Sequence, residues 1–256
     1  MTDHIQTDTA DGVLRLTLAR PDKKNALTLA MYQAMAEALD AAETDPAVRA
    51  VVLHGEGGSF TAGNDLFDFL NDPPKDASSP VFQFLRAVTG FGKPLLAAVA
   101  GPAVGIGTTV LLHCDLAYAA PSAKFRLPFV NLGLVPEAAS SLLLPQAVGP
   151  KNAAELLLFG DAFSAEEAER MGLINAVVAE SELLDFTLVR AQALAAQPPA
   201  ALRLTKALLR APQADAVTAT IQEEGRHFVE RLASPEAQEA FQAFLEKRAP
   251  DFSRFS

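Results

Sequence analysis

Apolar and polar positions alternate along GVLRLTLAR, residues 12–20, the period of a strand with one buried face. A polar connection, RPDKKNAL (20–27), follows. TLAMYQAMAEALDAAETD, from Thr28, places its apolar residues at helical spacing and predicts a helix capped by Thr28. VRAVVLHGEGGSF (48–60) predicts a buried strand running into a glycine turn, and KPLLAAVAGPAVGIGTTVLLHCDLAYAA (93–120) predicts strand, glycine turn, short helix and strand. The first two-thirds of the chain thus alternates strand and helix, which predicts an α/β core. After about Gly149 the pattern turns mostly helical. FSAEEAERMG carries a capping box, Ser164 with Glu167, and a glycine stop at Gly172. Further helices are expected from about Glu182, Pro199, Ala216 and Ser234, the last with Pro235 in its first turn.

A chain of 256 residues, 50% hydrophobic, fits one large domain or a domain with a helical appendage. The formal net charge of -10 argues against a nucleic-acid surface, which needs a basic stripe, but leaves room for a small anionic ligand held by a few local lysines. Cys114 is the only cysteine, so no internal disulfide can form, and a reducing compartment is expected. The polar start, MTDHIQTDTADG, lacks a signal-peptide core, and no apolar run is long enough to span a bilayer. These features predict a soluble cytoplasmic protein without membrane contact.

The chemistry starts from a small set of motifs. His4, His54, His113 and His227 share no metal-ligand spacing, and there is no G-x-S-x-G elbow, so neither a metal centre nor a serine-hydrolase triad is expected. GIGTTV lacks the third glycine of a dinucleotide fingerprint. SFTAGNDL (59–66) and GPAVGIGTTV (101–110) each follow an apolar strand. Glycines there let the backbone approach a ligand and aim spare amides at it, although ordinary strand-to-helix turns would look the same. In NLGLVPEAASSLLLP (131–145) a single carboxylate, Glu137, sits in an apolar run. Burying an unpaired carboxylate costs several kcal/mol or leaves it protonated. The plainer alternative is a glutamate near a helix N-terminus, facing solvent.

RPDKKNAL, FTAGNDL, KPLLAAVAGPAVGIG, CDLAYAAPSAKFRLPFVNLGLVPEAASS and GDAFSAEEAERMGLINAVV occur in that order. Together, from about Val13 to the C-terminus, they resemble the crotonase superfamily, the enoyl-CoA hydratase/isomerase family, and most of all its Δ3,Δ2-enoyl-CoA isomerases. The resemblance implies an α/β spiral of β-β-α units forming two near-perpendicular sheets (1–195), then a helical C-terminal region (196–256) for trimerisation and for covering the CoA site. It implies a thioester enolate stabilised by the backbone amides of Asn64 and Ile106. Fixed donors stabilise such an oxyanion without reorganising. The two glutamates used by the family's hydratases are replaced by Thr109 and Phe129, leaving Glu137 as a single base that carries a proton from C2 to C4. Leu134, Val135 and Phe129 are expected to raise its pKa.

By the same resemblance Lys24, Ala26, Ala62, Gly63, Asp65 and Leu66 line the CoA groove, Gly105 and Phe129 belong to the same substrate- and CoA-binding set, and Lys247 meets a phosphate on its own or a neighbouring subunit. Asp65 reads first as a residue that fixes its turn, and Lys247 equally as a solvated helix end. FDFLNDPPKDASSP (67–80) is expected to be a mobile loop over the acyl end. The implied partners are an acyl-CoA thioester and further copies of the chain, as trimer or hexamer. No cofactor is implied, coenzyme A being part of the substrate. The implied activity is Δ3-to-Δ2 isomerisation, with enoyl-CoA hydration as the enzymatic alternative and a non-catalytic acyl-CoA binding module as the alternative of another class.

Overall fold

In the computed structural model, which describes residues 2–74 and 78–255, Asp11 and Gly12 are both left-handed (φ 51° and 77°). This two-residue turn has the handedness that joins antiparallel strands. It links β1 (Ile5–Ala10) to β2 (Val13–Leu18). The sequence pattern gives no strand before Val13. β1 escapes it because it is an exposed edge strand with no apolar face, held by the ladder to β2 and an Asp8–Arg15 pair at 3.3 Å.

The remaining strands are β3 (Ala50–Gly55), β4 (Leu95–Val99), β5 (Pro102–Val104), β6 (Leu116–Ala119), β7 (Lys124–Arg126), β8 (Phe163–Ser164) and β9 (Ala176–Val177). They form a six-stranded sheet, β1-β2-β3-β4-β6-β9, and a three-stranded sheet, β5-β7-β8. From β2 onward the larger sheet is parallel, and β3 and β4 read as continuous apolar runs because both faces are covered.

The helices are α1 (Leu29–Thr44), α2 (Leu66–Asn71), α3 (Pro80–Gly90), α4 (Ile106–Thr109), α5 (Ser140–Val148), α6 (Pro150–Phe159), α7 (Ala165–Met171), α8 (Leu183–Ala195), α9 (Pro199–Arg210), α10 (Ala214–Leu232) and α11 (Pro235–Glu246). Thr28 caps α1 by accepting from the Met31 N–H, and Ser164 and Glu167 form the expected capping box of α7, which ends on left-handed Gly172. α1 and α3 bury Met31, Tyr32, Met35, Phe84 and Leu85 in the main core, and α8 covers the other face of the sheet with Leu183, Ala191 and Ala195. The stretch expected to be a loop over 67–80 is in part α2, because the Asp65 carboxylate caps it through Phe67 and Asp68. Residues 75–77 of that stretch lie outside the described residues. Among the described residues no helix is long and apolar enough to cross a membrane.

Candidate active site

The loop after β3 is stitched to β5. Thr61 N–H donates to Pro102 O at 2.9 Å and Val104 N–H to Thr61 O at 3.1 Å. Gly63 lies so close to this strand that a Cβ would stand 2.8 Å from Val104 O, at a φ of +87° that disfavours side chains. Asn25 fixes the approach: its buried side-chain amide donates to Glu56 O (3.0 Å) and Ser59 O (2.6 Å), and its main-chain carbonyl accepts from Thr61 Oγ1 (2.7 Å). Sequence positions 64 and 106, far apart in the chain, are thereby brought to adjoining strand ends.

At both ends a backbone donor is left over. Leu27 N–H takes Gly63 O and Asp65 N–H takes Leu27 O, so the bridge between Leu27 and Asn64 skips the Asn64 amide. Ile106 opens α4 directly after Gly105 (φ 56°, ψ −117°), and a first-turn amide has no acceptor within its own helix. Among the described residues neither the Asn64 nor the Ile106 N–H donates to a protein group. The Asn64 side chain is anchored separately, its Oδ1 accepting from the phenol of Tyr32.

One helical turn beyond Ile106, Thr109 Oγ1 donates to Glu137 Oε1 at 2.5 Å. Glu137 is half-buried, and Oε2 accepts from no described group. Burial pushes its pKa up to about 8. The Thr109 bond pulls it down, and the negative charge of Glu224 adds to the rise. The Tyr32 phenol is held well above its usual range, first by burial and then by the field of Glu137. Tyr32, Asn64, Thr109 and Glu137 therefore form one cluster around the start of α4. Phe129 and Leu134 are buried beside this loop, and Val135 packs against the same core.

The other expected groove residues gather on the neighbouring loop. Ala62 N–H donates to Lys24 O at 2.9 Å, placing exposed Lys24 beside Ala62 and Gly63. The Arg20 guanidinium donates to both Ala26 O (2.9 Å) and the Asp65 carboxylate (2.7 Å). With two further bonds from α2 amides, Asp65 has the turn-fixing place that its sequence context suggests, and Leu66 follows it as the first residue of α2. Lys247 stands exposed and left-handed at the end of α11, a helix that packs on Val130–Leu132 and against Gly133.

Tyr32 and Asn25 have no signature in the sequence. A tyrosine on the buried face of a helix is ordinarily core, and an asparagine in a polar connection is ordinarily a turn residue. Only the close packing of α1 and of RPDKKNAL against the Asn64 loop gives them these contacts.

Residues 8–254 match the enoyl-CoA hydratase/isomerase family. The chain is 36% identical over 243 residues to enoyl-CoA delta isomerase 2 of Rattus norvegicus, covering 93% of this chain and 62% of that protein, less than two-thirds of its length. It is 35% identical over 244 residues to the 2,3-dehydroadipyl-CoA hydratase of Escherichia coli, covering 94% of each. Among solved structures, an enoyl-CoA hydratase/isomerase from Pseudoalteromonas atlantica superposes with a TM-score of 0.94 at 43% identity, over 98% of this chain and all of that one. Two sheets joined through glycine turns, spare amides at their junction and this likeness along nearly the whole chain agree: the chain belongs to the enoyl-CoA hydratase/isomerase family and has the crotonase fold.

Proposed function

We propose that this enzyme moves the double bond of a 3-enoyl-CoA to the 2-position, with Glu137 as the only proton carrier. In this reading the thioester oxygen accepts from the Asn64 and Ile106 amides. Glu137 Oε2 takes a proton from C2, charge moves onto the thioester oxygen, and the same carboxyl returns the proton at C4. Proton count and charge are restored, and no water or cofactor is consumed. The observation that carries the reading is the pairing of one carboxyl of raised proton affinity with Thr109. A residue that resembles one hydratase glutamate in position serves here to hold the remaining acid. An acid with a pKa near 8 suits a group that must both take and give a proton near neutral pH.

Lys24, Ala26, Ala62, Gly63, Asp65 and Leu66 form the CoA groove in this proposal, with Gly105 and Phe129 at the acyl site and Lys247 at a phosphate. Trimeric or hexameric assembly belongs to the same proposal. It is supported by the exposed apolar side chains Leu158, Phe159, Leu204, Leu208 and Leu209, and light scattering of the purified protein would test it.

Hydration is the second reading, favoured by the likeness to the Escherichia coli hydratase. Incubation with a 3-enoyl-CoA and separately with a 2-enoyl-CoA distinguishes the two. A double-bond shift without water addition is expected. Hydration of the 2-enoyl thioester without any shift of the 3-enoyl thioester would overturn the isomerase reading, and tight thioester binding with neither reaction would indicate a binding module.

A further inference from the structure

α10 carries a carboxylate on its apolar stripe. Val217, Ile221, Glu224 and Phe228 recur at helical spacing, and Glu224 is only 6% exposed. It faces no cation among the described residues. Instead Oε2 accepts from the Ala139 N–H at 2.6 Å, while Oε1 accepts from the Ser141 N–H at 2.9 Å and Ser141 Oγ at 2.5 Å. These donors lie at the start of α5, whose N-cap residue, Ala139, has no side-chain oxygen. A glutamate from a distant helix thus does what a local serine or aspartate ordinarily does.

The same bonds hold an unfavourable turn. Ala138 and Ala139 are both left-handed (φ 59° and 55°), which costs an alanine roughly 1–2 kcal/mol. The turn is gripped on its other side too, Ala138 O accepting from His113 Nε2 at 2.8 Å. It directly follows Glu137, whose own carbonyl accepts from the Ser140 N–H. The direction in which the Glu137 side chain leaves the backbone therefore depends on this turn staying left-handed.

We propose that Glu224 is a positioning residue for the active site: by gripping Ala139 and Ser141 it holds the turn that keeps Glu137 against Thr109. Its charge acts in the same place, adding to burial in raising the proton affinity of Glu137. Among the described residues the other groups facing this pair are uncharged at neutral pH: Thr109 from α4, Tyr32 from α1, Ser141 from α5, and His113, which burial lowers to a pKa of about 4. The proposal rests on the isomerase reading only where it uses turnover as a readout.

The test is Glu224→Gln. Glutamine keeps the shape, but its NH2 cannot accept from an amide, so one grip and the charge are lost together. The titration of the Glu137 carboxyl is followed by its infrared band, assigned by its disappearance in Glu137→Gln. In Glu224→Gln the midpoint is expected to fall by about one pH unit, and kcat on a 3-enoyl-CoA by roughly 10- to 100-fold with KM nearly unchanged. If the midpoint and kcat both stay at wild-type values while only Tm falls, Glu224 is a helix cap and the proposal fails. If Glu137→Gln keeps wild-type turnover while Glu224→Gln still shifts the infrared midpoint, the isomerase reading fails and the positioning role stands. Should Glu224→Gln not fold, Glu224→Asp keeps the charge and shortens the reach. There kcat is expected to fall with KM unchanged, and wild-type kcat would overturn the proposal.

Discussion

Glu137 is held in the folded state with a pKa of about 8, against an ordinary 4.5, chiefly by burial. Between these values the native protein binds a proton that the unfolded chain has released, so this residue's contribution to stability falls as pH rises through the window. Glu137→Gln removes that dependence. The variant is expected to melt higher than wild type at pH 9, with the advantage fading toward pH 5. Tm values across this range check it, and a constant difference would show that Glu137 is not held protonated. Tyr32 acts on the other half of the site. Tyr32→Phe removes the donor to Asn64 Oδ1 and leaves a part-buried acceptor unpaired, at a cost of about 1–2 kcal/mol. By freeing the Asn64 peptide it is expected to lower kcat about ten-fold with little change in KM. An unchanged kcat would show that the Asn64 loop holds itself.

At the scale of elements, the strand ends matter more than the strands. Gly63→Ala puts a methyl 2.8 Å from Val104 O at a φ of +87°. It is expected to cost roughly 10²-fold in rate by moving the Asn64 amide, and about 2 kcal/mol in stability through backbone strain. Steady-state kinetics and urea denaturation would measure the two effects, and an active variant would place the oxyanion donors elsewhere. Much of this scaffold was legible in the sequence. The strand at 13–18, the Thr28 cap, the capping box of α7 and the two glycine turns follow from local patterning. Glu137 stood out because an acid in an apolar run needs a reason. β1 and α2 were not legible, the first because an exposed edge strand has no apolar face to mark it, the second because its cap looks like a turn residue. The contacts of Tyr32, Asn25 and Glu224 with the site were hidden for another reason: each joins segments at least 31 residues apart, and only packing reveals such pairs. Glu224 alone left a trace, as a charge on an apolar stripe.

At the scale of the whole molecule, the C-terminal helices are tied to the sheet by polar contacts centred on the buried Lys206. Lys206 of α9 donates from Nζ to Lys93 O (2.5 Å) and to the Asp115 carboxylate (2.7 Å), and Arg210 reaches the same aspartate at 3.1 Å. Lys206→Met removes the cation that both oxygens face and is expected to cost about 2 kcal/mol, read from the urea midpoint. An unchanged midpoint would mean that these helices stay in place without the pair. α10 and α11 in turn pack on the loop that carries Glu137, so the helical region and the acid share their order. In this account the fold places two main-chain donors and one carboxyl at the junction of its sheets. The most direct test is the rate of double-bond shift of a 3-enoyl-CoA by Glu137→Gln, with thioester binding measured alongside. A loss of roughly 10²-fold or more with binding retained is expected. Turnover at the wild-type rate would contradict it.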